Sequence, residues 1–598
     1  MSLGTRKTKT EGSGNVLRRR RTILAWGFAL PFAVVFCVFM LIPLLSSMAM
    51  SFTDITSKDL RTPFNVNFVG LDQYIALFHD RRFLHALGVT GIFVLVGLPI
   101  TMVIALAFAV ALNKGSKHLN AFFRAVFYAP VVASVVAVSV VWRYILQKDG
   151  LLNSLLAVFG IAGPDWLHDT RYALPALMVM TIWRNMGTLM IIFLAGLQAI
   201  PEELKEAAAI DGAGKWRIFR SITLPLLKPT LLLGAVLLSV AYLQFFEESF
   251  VMTQGGPLDS TLSAAYYVYQ KFGFGQYGIA SAASWVLFII IALVSVLSSA
   301  FSRRIEMTAT TVAASRPQSN KQSLWRRFVK GRGLSYCVLA VIGVFWIFPF
   351  LWMALGSLKT QREILAKPPK LLPEHASLAN FAKWFGELNF GTYFTNSMVV
   401  AVITVLGNMV FCSMVGYALA KMDFAGKNIL FGAVMVTLMV PSVATFVPLF
   451  VIISNMGLAN SYAALILPFL CQPIGVFLMR QFISGIPDAL MEAARVDGAG
   501  ELRIFFQIVL PQCGPPLATL SILTFLSSWN NFLWPLVAAQ TEEKYTLPVA
   551  LSLYSTGQNA TNYSVLLAGA VLVVTPILLL FVFLQRYFIQ GVAGTGIK

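Results

Sequence analysis

Long apolar runs separated by short polar stretches make up most of the chain. Crossing a hydrocarbon layer of about 30 Å takes roughly 20 helical residues. Six runs are long enough before residue 303, near 24–50, 86–112, 122–146, 172–199, 222–250 and 281–302. Six more follow 333, near 334–357, 393–420, 428–453, 461–484, 510–534 and 563–585. Pro31, Pro43, Pro99 and Pro576 lie within them, which membrane helices tolerate because neighbouring groups satisfy the freed backbone. The pattern predicts an all-α polytopic membrane protein of about twelve transmembrane helices.

Composition agrees, since 57% of the 598 residues are apolar and 12% are charged, against about 25% charged in a soluble domain. The formal charge of +19 does not mark a nucleic-acid binder, because a mean hydropathy of +0.75 leaves no basic soluble surface. With the N-terminus inside, the inner loops and tails hold 30 Lys/Arg and 11 acidic residues, and the outer loops 14 and 13. That bias places both termini in the cytoplasm. Arg18 to Arg21 resemble a signal-peptide n-region, but no small-residue cleavage site follows, so the first apolar run reads as a membrane helix. Cys37, Cys337, Cys412, Cys471 and Cys513 show no paired spacing and read as small apolar fillers.

The halves repeat. Residues 200–214, IPEELKEAAAIDGAG, return as 486–500, IPDALMEAARVDGAG, at an offset of 286. Ile222-Thr223-Leu224-Pro225 returns as Ile508-Val509-Leu510-Pro511, and Arg217 and Phe219 as Arg503 and Phe505. Earlier in each half the offset is larger, with Ala111-Leu112 facing Ala418-Leu419 at 307. About 21 extra residues therefore sit in the first half, assigned to the outer loop from Gln147 to Asp169. Two pseudo-symmetric six-helix halves follow: a basic cytoplasmic tail at 1–21, a first half at 22–304, a polar linker at 305–333 and a second half at 334–598. The linker suggests two genes or two subunits joined, by nature or by construction.

Each repeated segment falls inside, between the fourth and fifth spans of its half. Proline at a first helical turn beside Glu202, Glu203 or Asp488 suits a helix N-terminus, and Gly212 and Gly498 suit the helix end. An amphipathic connector on the headgroups explains one such helix; two copies of one spacing require a shared cause. The pattern Glu-Ala-Ala, Gly and Ile-x-Leu-Pro resembles the signature of ABC importer permeases, whose short coupling helices dock on cytoplasmic ATPases. The resemblance implies that Glu206, Ala207, Ala208, Asp211 and Gly212, with Glu492, Ala493, Ala494, Asp497 and Gly498, couple the chain to two P-loop ATPase subunits.

Two further motifs resemble the paired permeases of maltose, trehalose and glycerol-3-phosphate importers. They are Phe246 to Pro257 in the first half, and Trp529 to Leu536 with Gln585 to Gly591 in the second. That similarity implies a carbohydrate or polyol solute, an extracytoplasmic solute-binding protein and ATP-driven alternating access. It places sugar contacts near Ser239, Tyr242 and Gln244. Gln244, Glu247 and Glu248 stand at i, i+3 and i+4 and would share one helix face, lining either a polar path or the outer interface. Trp529, Asn530 and Asn531 offer an aromatic face beside two carboxamides, or carboxamides that bind helix to helix. Arg184 either pairs with Glu247 or Glu248 or is a structural cation.

The chain carries no GxxxxGK[ST] phosphate loop. At Gly214-Lys215 the first glycine is replaced by Ala209, and at Gly426-Lys427 by Lys421, so ATP and Mg would be held by partner chains. No metal motif or nucleophile elbow is present in the sequence. A partner-free, ion-coupled secondary transporter also has twelve spans in two halves, but leaves the repeated cytoplasmic signature unexplained.

Overall fold

The computed structural model describes the backbone of residues 10–60, 66–113, 117–309, 333–367, 369–438, 440–556 and 562–594. The linker expected at 305–333 lies almost wholly outside these residues. The described residues are helical throughout, apart from loops and one isolated bridge between Thr53 and Phe68.

In chain order the elements that matter are α1 (Thr22–Met50), α2 (Arg81–Asn113), α3 (Leu119–Val132 with Val135–Ile145), α4 (Ala173–Ala199), α5 (Glu202–Ile210), α6 (Lys215–Leu243) and α7 (Tyr277–Leu297). They continue with α8 (Val338–Ser357), α9 (Phe390–Lys421), α10 (Lys427–Thr437 with Ser442–Asn455), α11 (Tyr462–Ser484), α12 (Asp488–Val496), α13 (Glu501–Gln512 with Gly514–Trp529) and α14 (Tyr563–Leu584). Among the described residues nine are long and apolar enough to cross a membrane unbroken, and twelve are when each bent pair counts once. All twelve coincide with runs read from the sequence.

The bends have local causes. α3 turns by 96° at Ala133-Ser134, shortly after Pro130, and α10 by 106° before Pro441. α13 turns by 82° at Cys513, where Gly514-Pro515-Pro516 stands against Lys228-Pro229-Thr230 in the repeat. The single proline is absorbed in α6; the second proline and the glycine remove too many backbone constraints for the helix to stay straight.

The compact units cut across the two sequence repeats. One comprises 1–49 and 394–545, and so holds α1 with α9 to α13. The other comprises 50–393 and 546–598, with α2 to α8 and α14. In the first unit, Ala25, Phe28, Ala29 and Phe32 form a buried stripe on α1 at the spacing of one helix face. Phe28 meets Tyr417 and Phe505 edge-on, each with ring centroids 5.4 Å apart. In the second unit, Trp183 of α4 donates to the Trp346 carbonyl of α8 at 3.1 Å, and Tyr128 of α3 packs against Phe581 of α14. Each unit is thus completed by helices from the opposite end of the chain.

Close approach is bought with glycine. A Cβ on Gly416 of α9 would lie 2.8 Å from Met479 Cβ and 2.9 Å from the Arg480 nitrogen of α11, the small-residue contact through which membrane helices pack. Gly416→Leu is therefore expected to cost about 1–3 kcal/mol by overpacking. The expected result is a fall of several degrees in the melting temperature of the detergent-purified protein; an unchanged value refutes the contact.

Candidate functional site

The two repeated segments fold alike. α5 has Pro201 at its N-cap and α12 has Pro487, one position before the first turn in which the sequence reading placed them. Each helix closes by the same bonds: Gly212 N–H to Ala209 and Ala213 N–H to Ala208, at 3.1 and 2.9 Å, then Gly498 N–H to Arg495 and Ala499 N–H to Ala494, at the same distances. Gly212 and Gly498 adopt φ of +79° and +80°, the left-handed conformation that ends a helix and favours glycine.

Glu206, Ala207, Asp211, Glu492, Ala493 and Asp497 are exposed, and Ala208 and Ala494 are half-buried beneath them. Ile210 and Val496, equivalent in the repeat, are 86% and 87% exposed. α12 is braced by Lys421, whose ammonium donates to the Ile486 carbonyl at 2.6 Å and to Asp488 at 2.7 Å. That bond holds the Asp488 carboxyl below the usual carboxylate range. Because the folded value is depressed, the bond contributes above a pH of about 4 and is lost as acidification passes below it.

The solute candidates lie in two separate units. α6 ends at Leu243, Gln244 is its C-cap, and helical backbone resumes only at Glu247. Gln244 and the glutamates therefore do not share a continuous helix face, which corrects the i, i+3, i+4 reading. The break exposes backbone groups, one of which, the Val240 carbonyl, accepts from Gln244 Nε2 at 3.1 Å. Around it, the Tyr242 hydroxyl is 2.8 Å from Thr101 Oγ1. Phe93 stacks on Phe245 with centroids 4.1 Å apart. Ser239 is satisfied within its own helix by the Ala235 carbonyl.

Glu248 is buried, Glu247 half-buried, and Arg184 is the opposite charge that both carboxyls face. Arg184 donates to Asn185 Oδ1 at 3.4 Å rather than bridging a glutamate directly, and its Nε is buried without a partner. In the other unit α13 ends at Trp529, the residue equivalent to Leu243, with Asn530 as C-cap. Trp529 is buried, stacked on Phe525 at 5.5 Å and edge-on to Phe394 at 5.8 Å. Asn530 and Asn531 are half-buried beside it. Thr101, Asn185, Phe93 and Phe394 carry no motif of their own, and the sequence pattern gives no signal for them.

Among the described residues no group of His, Cys, Asp or Glu could hold a metal. Cys412, Cys471 and Cys513 are buried free thiols, and Cys37 is exposed and free.

Twelve apolar spans, a duplicated exposed helix and interrupted helices beside buried polar side chains describe a multi-pass membrane protein. The chain belongs to the family described as binding-protein-dependent transport system inner membrane component, which it matches twice, over residues 68–307 and 412–594. It is 43% identical over 262 residues to the arabinooligosaccharides transport system permease protein AraQ of Halalkalibacterium halodurans, covering 43% of this chain and 94% of that protein. It is 36% identical over 285 residues to the probable ABC transporter permease protein YesP of Bacillus subtilis, covering 47% and 90%. The diacetylchitobiose uptake system permease protein NgcG of Streptomyces coelicolor is 34% identical over 264 residues, at 44% and 86%. The crystal structure of a bacterial ABC transporter involved in the import of the acidic polysaccharide alginate aligns with a TM-score of 0.41 and 24% identity, covering 45% of this chain and all of that one.

Proposed function

We propose that this chain supplies both transmembrane subunits of an ATP-driven, binding-protein-dependent importer of a carbohydrate: an oligosaccharide, a disaccharide or a polyol derivative. The observation that carries the reading is the pair α5 and α12, two exposed helices of one design, each presenting a carboxylate, an Ala-Ala step and a bare branched residue. Relatives named for arabinooligosaccharide, diacetylchitobiose and lactose transport support the solute class. Each matches less than half of this chain over most of its own length, in keeping with two permease subunits fused. ATP and Mg belong to two cytoplasmic ATPase subunits, a solute-binding protein delivers the sugar from outside, and both termini lie in the cytoplasm.

Purification of the chain from its host membranes, with mass spectrometry of the partners and an ATPase assay, tests this. A P-loop ATPase and a solute-binding protein are expected. A chain that emerges alone, hydrolyses no ATP and transports with a proton gradient in proteoliposomes is a secondary transporter instead.

Tyr242, Gln244, Glu247 and Glu248 in one unit, and Trp529, Asn530 and Asn531 in the other, are the side chains proposed to meet the solute. Interrupted helices give a solute both side chains and free backbone groups to bind. Trp529→Ala combined with Asn530→Ala is expected to cut uptake of the native sugar about tenfold or more, as loss of two direct contacts of about 1 kcal/mol each implies, with the ATPase still bound. Loss of the ATPase from the double variant would make these residues structural.

A further inference from the structure

α12 is fastened to a membrane helix at both of its ends. At its C-terminal end Arg495 donates from Nε to Glu501 Oε1 at 2.8 Å and from Nη2 to Oε2 at 3.2 Å. The Tyr417 hydroxyl of α9 donates to the same Oε2 at 2.6 Å. One carboxylate thus takes a forked guanidinium and a phenol, the strong and directional form of charge-assisted hydrogen bonding. Tyr417 is itself fixed, fully buried between Phe28 and Phe505. One helical turn further along α9, Lys421 bonds Ser484, Ile486 and Asp488, so the N-terminal end of α12 hangs from the same span.

The first half has counterparts for one of these attachments and lacks the residues of the other: Lys421 corresponds to Lys114 and Asp488 to Glu202. Under the repeat offsets of 307 and 286, Tyr417 corresponds to Val110, Arg495 to Ala209 and Glu501 to Lys215. The duplicated helices match in their termini and exposed faces and differ in what holds them.

We propose that Arg495, Glu501 and Tyr417 form a strut that makes α12 and α9 move as one body, so that the second cytoplasmic helix drives the membrane helices directly. The two helices are then mechanically unequal. Through this C-terminal link α12 passes force sideways into α9 as well as along its own chain, and α5 carries no residues for such a link at Val110, Ala209 and Lys215. These are positioning residues, and the proposal rests on the reading of α5 and α12 as ATPase-docking helices.

The test uses the whole complex, purified with its own ATPase in lipid nanodiscs. Spin labels go on the exposed Leu406 of α9 and Val103 of α2, as Leu406→Cys and Val103→Cys, with Cys37 and Cys337 changed to serine. The label-to-label distance is read by electron–electron resonance with and without ATP and vanadate. Glu501→Gln with Tyr417→Phe is expected to leave ATPase binding and hydrolysis within about twofold of the unmodified complex and to shrink the nucleotide-driven distance change at least about twofold; exchanging the charges, Arg495→Glu with Glu501→Arg, restores it. Lys215→Gln in the first half changes nothing. Tyr417→Phe alone keeps the buried ring and removes only the hydroxyl, so it carries the test if the double variant is poorly expressed. A merely structural role lowers yield and melting temperature and leaves the distance change per ATP hydrolysed as it was; that result overturns the strut. An unmodified complex that contains no ATPase overturns the functional reading instead.

Discussion

Glu492→Lys on α12 is expected to strip the ATPase subunits from the purified chain while leaving its yield and melting temperature unchanged. Glu492 is exposed, and α12 keeps its fold through other groups: the Gly498 turn, the Lys421 bonds and the Arg495–Glu501 fork. Reversing an outward charge on such a helix costs the fold nothing that those bonds supply. In a docked interface the reversed charge loses its partner and faces that partner's own positive charge. Losing one member of a buried charge pair costs about 2–5 kcal/mol, so ATPase recovery is expected to fall at least about thirtyfold. Glu206→Lys is expected to do the same through α5. Quantitative mass spectrometry of the purified complexes is the measurement, and full retention of the ATPase by Glu492→Lys would exclude α12 as the docking helix.

The spans were legible because a run of about twenty apolar residues has one solution in lipid, a helix with its backbone bonds satisfied internally. The two exposed helices α5 and α12 were legible because the sequence states them twice, and the glycine at each helix end has one backbone use there. The interruption of α6 was not. Nothing between Leu243 and Glu247 is a glycine or proline, so periodicity carried the helix straight through and put Gln244 on the face of Glu247 and Glu248. What breaks the helix is tertiary: Phe245 turns to stack on Phe93, and Tyr242 is held by Thr101 from a span 141 residues away. Trp529 stands beside two carboxamides in the sequence, but the rings of Phe525 and Phe394 against it leave no trace in local spacing. The strut was half visible, since Arg495 and Glu501 are opposite charges flanking the turn, whereas Tyr417 is an unremarkable tyrosine in an apolar run until α9 and α12 are brought together.

Partner choice among helices is the least legible property. Severing the chain between Ser315 and Arg316 tests it, and the expected results differ sharply between the two ways of expressing the pieces. Residues 316–598 alone lack α1, whose Phe28 and Phe32 fill the core around Tyr417 and Phe505. In lipid that vacancy costs little in hydrophobic free energy, because acyl chains are as apolar as leucine; it costs packing. Removing a single buried phenylalanine is worth about 3–5 kcal/mol in a close-packed core, and a loss of even 1–2 kcal/mol changes cellular abundance several-fold, so the orphan piece is expected at less than about a tenth of the level it reaches with its partner. Its own α8 and α14 are likewise left without α3 and α4, which they pack against through Trp346, Trp183, Tyr128 and Phe581. Co-expression of 1–315 with 316–598 restores both sets of contacts without the linker, and the two pieces are expected to purify together. A fragment of residues 1–60, carrying α1 alone, is expected to raise the level of 316–598 partway, because it refills one core and leaves the other open. Equal levels of 316–598 with and without any partner would mean that each sequence half folds by itself and that the exchange of helices contributes nothing to stability.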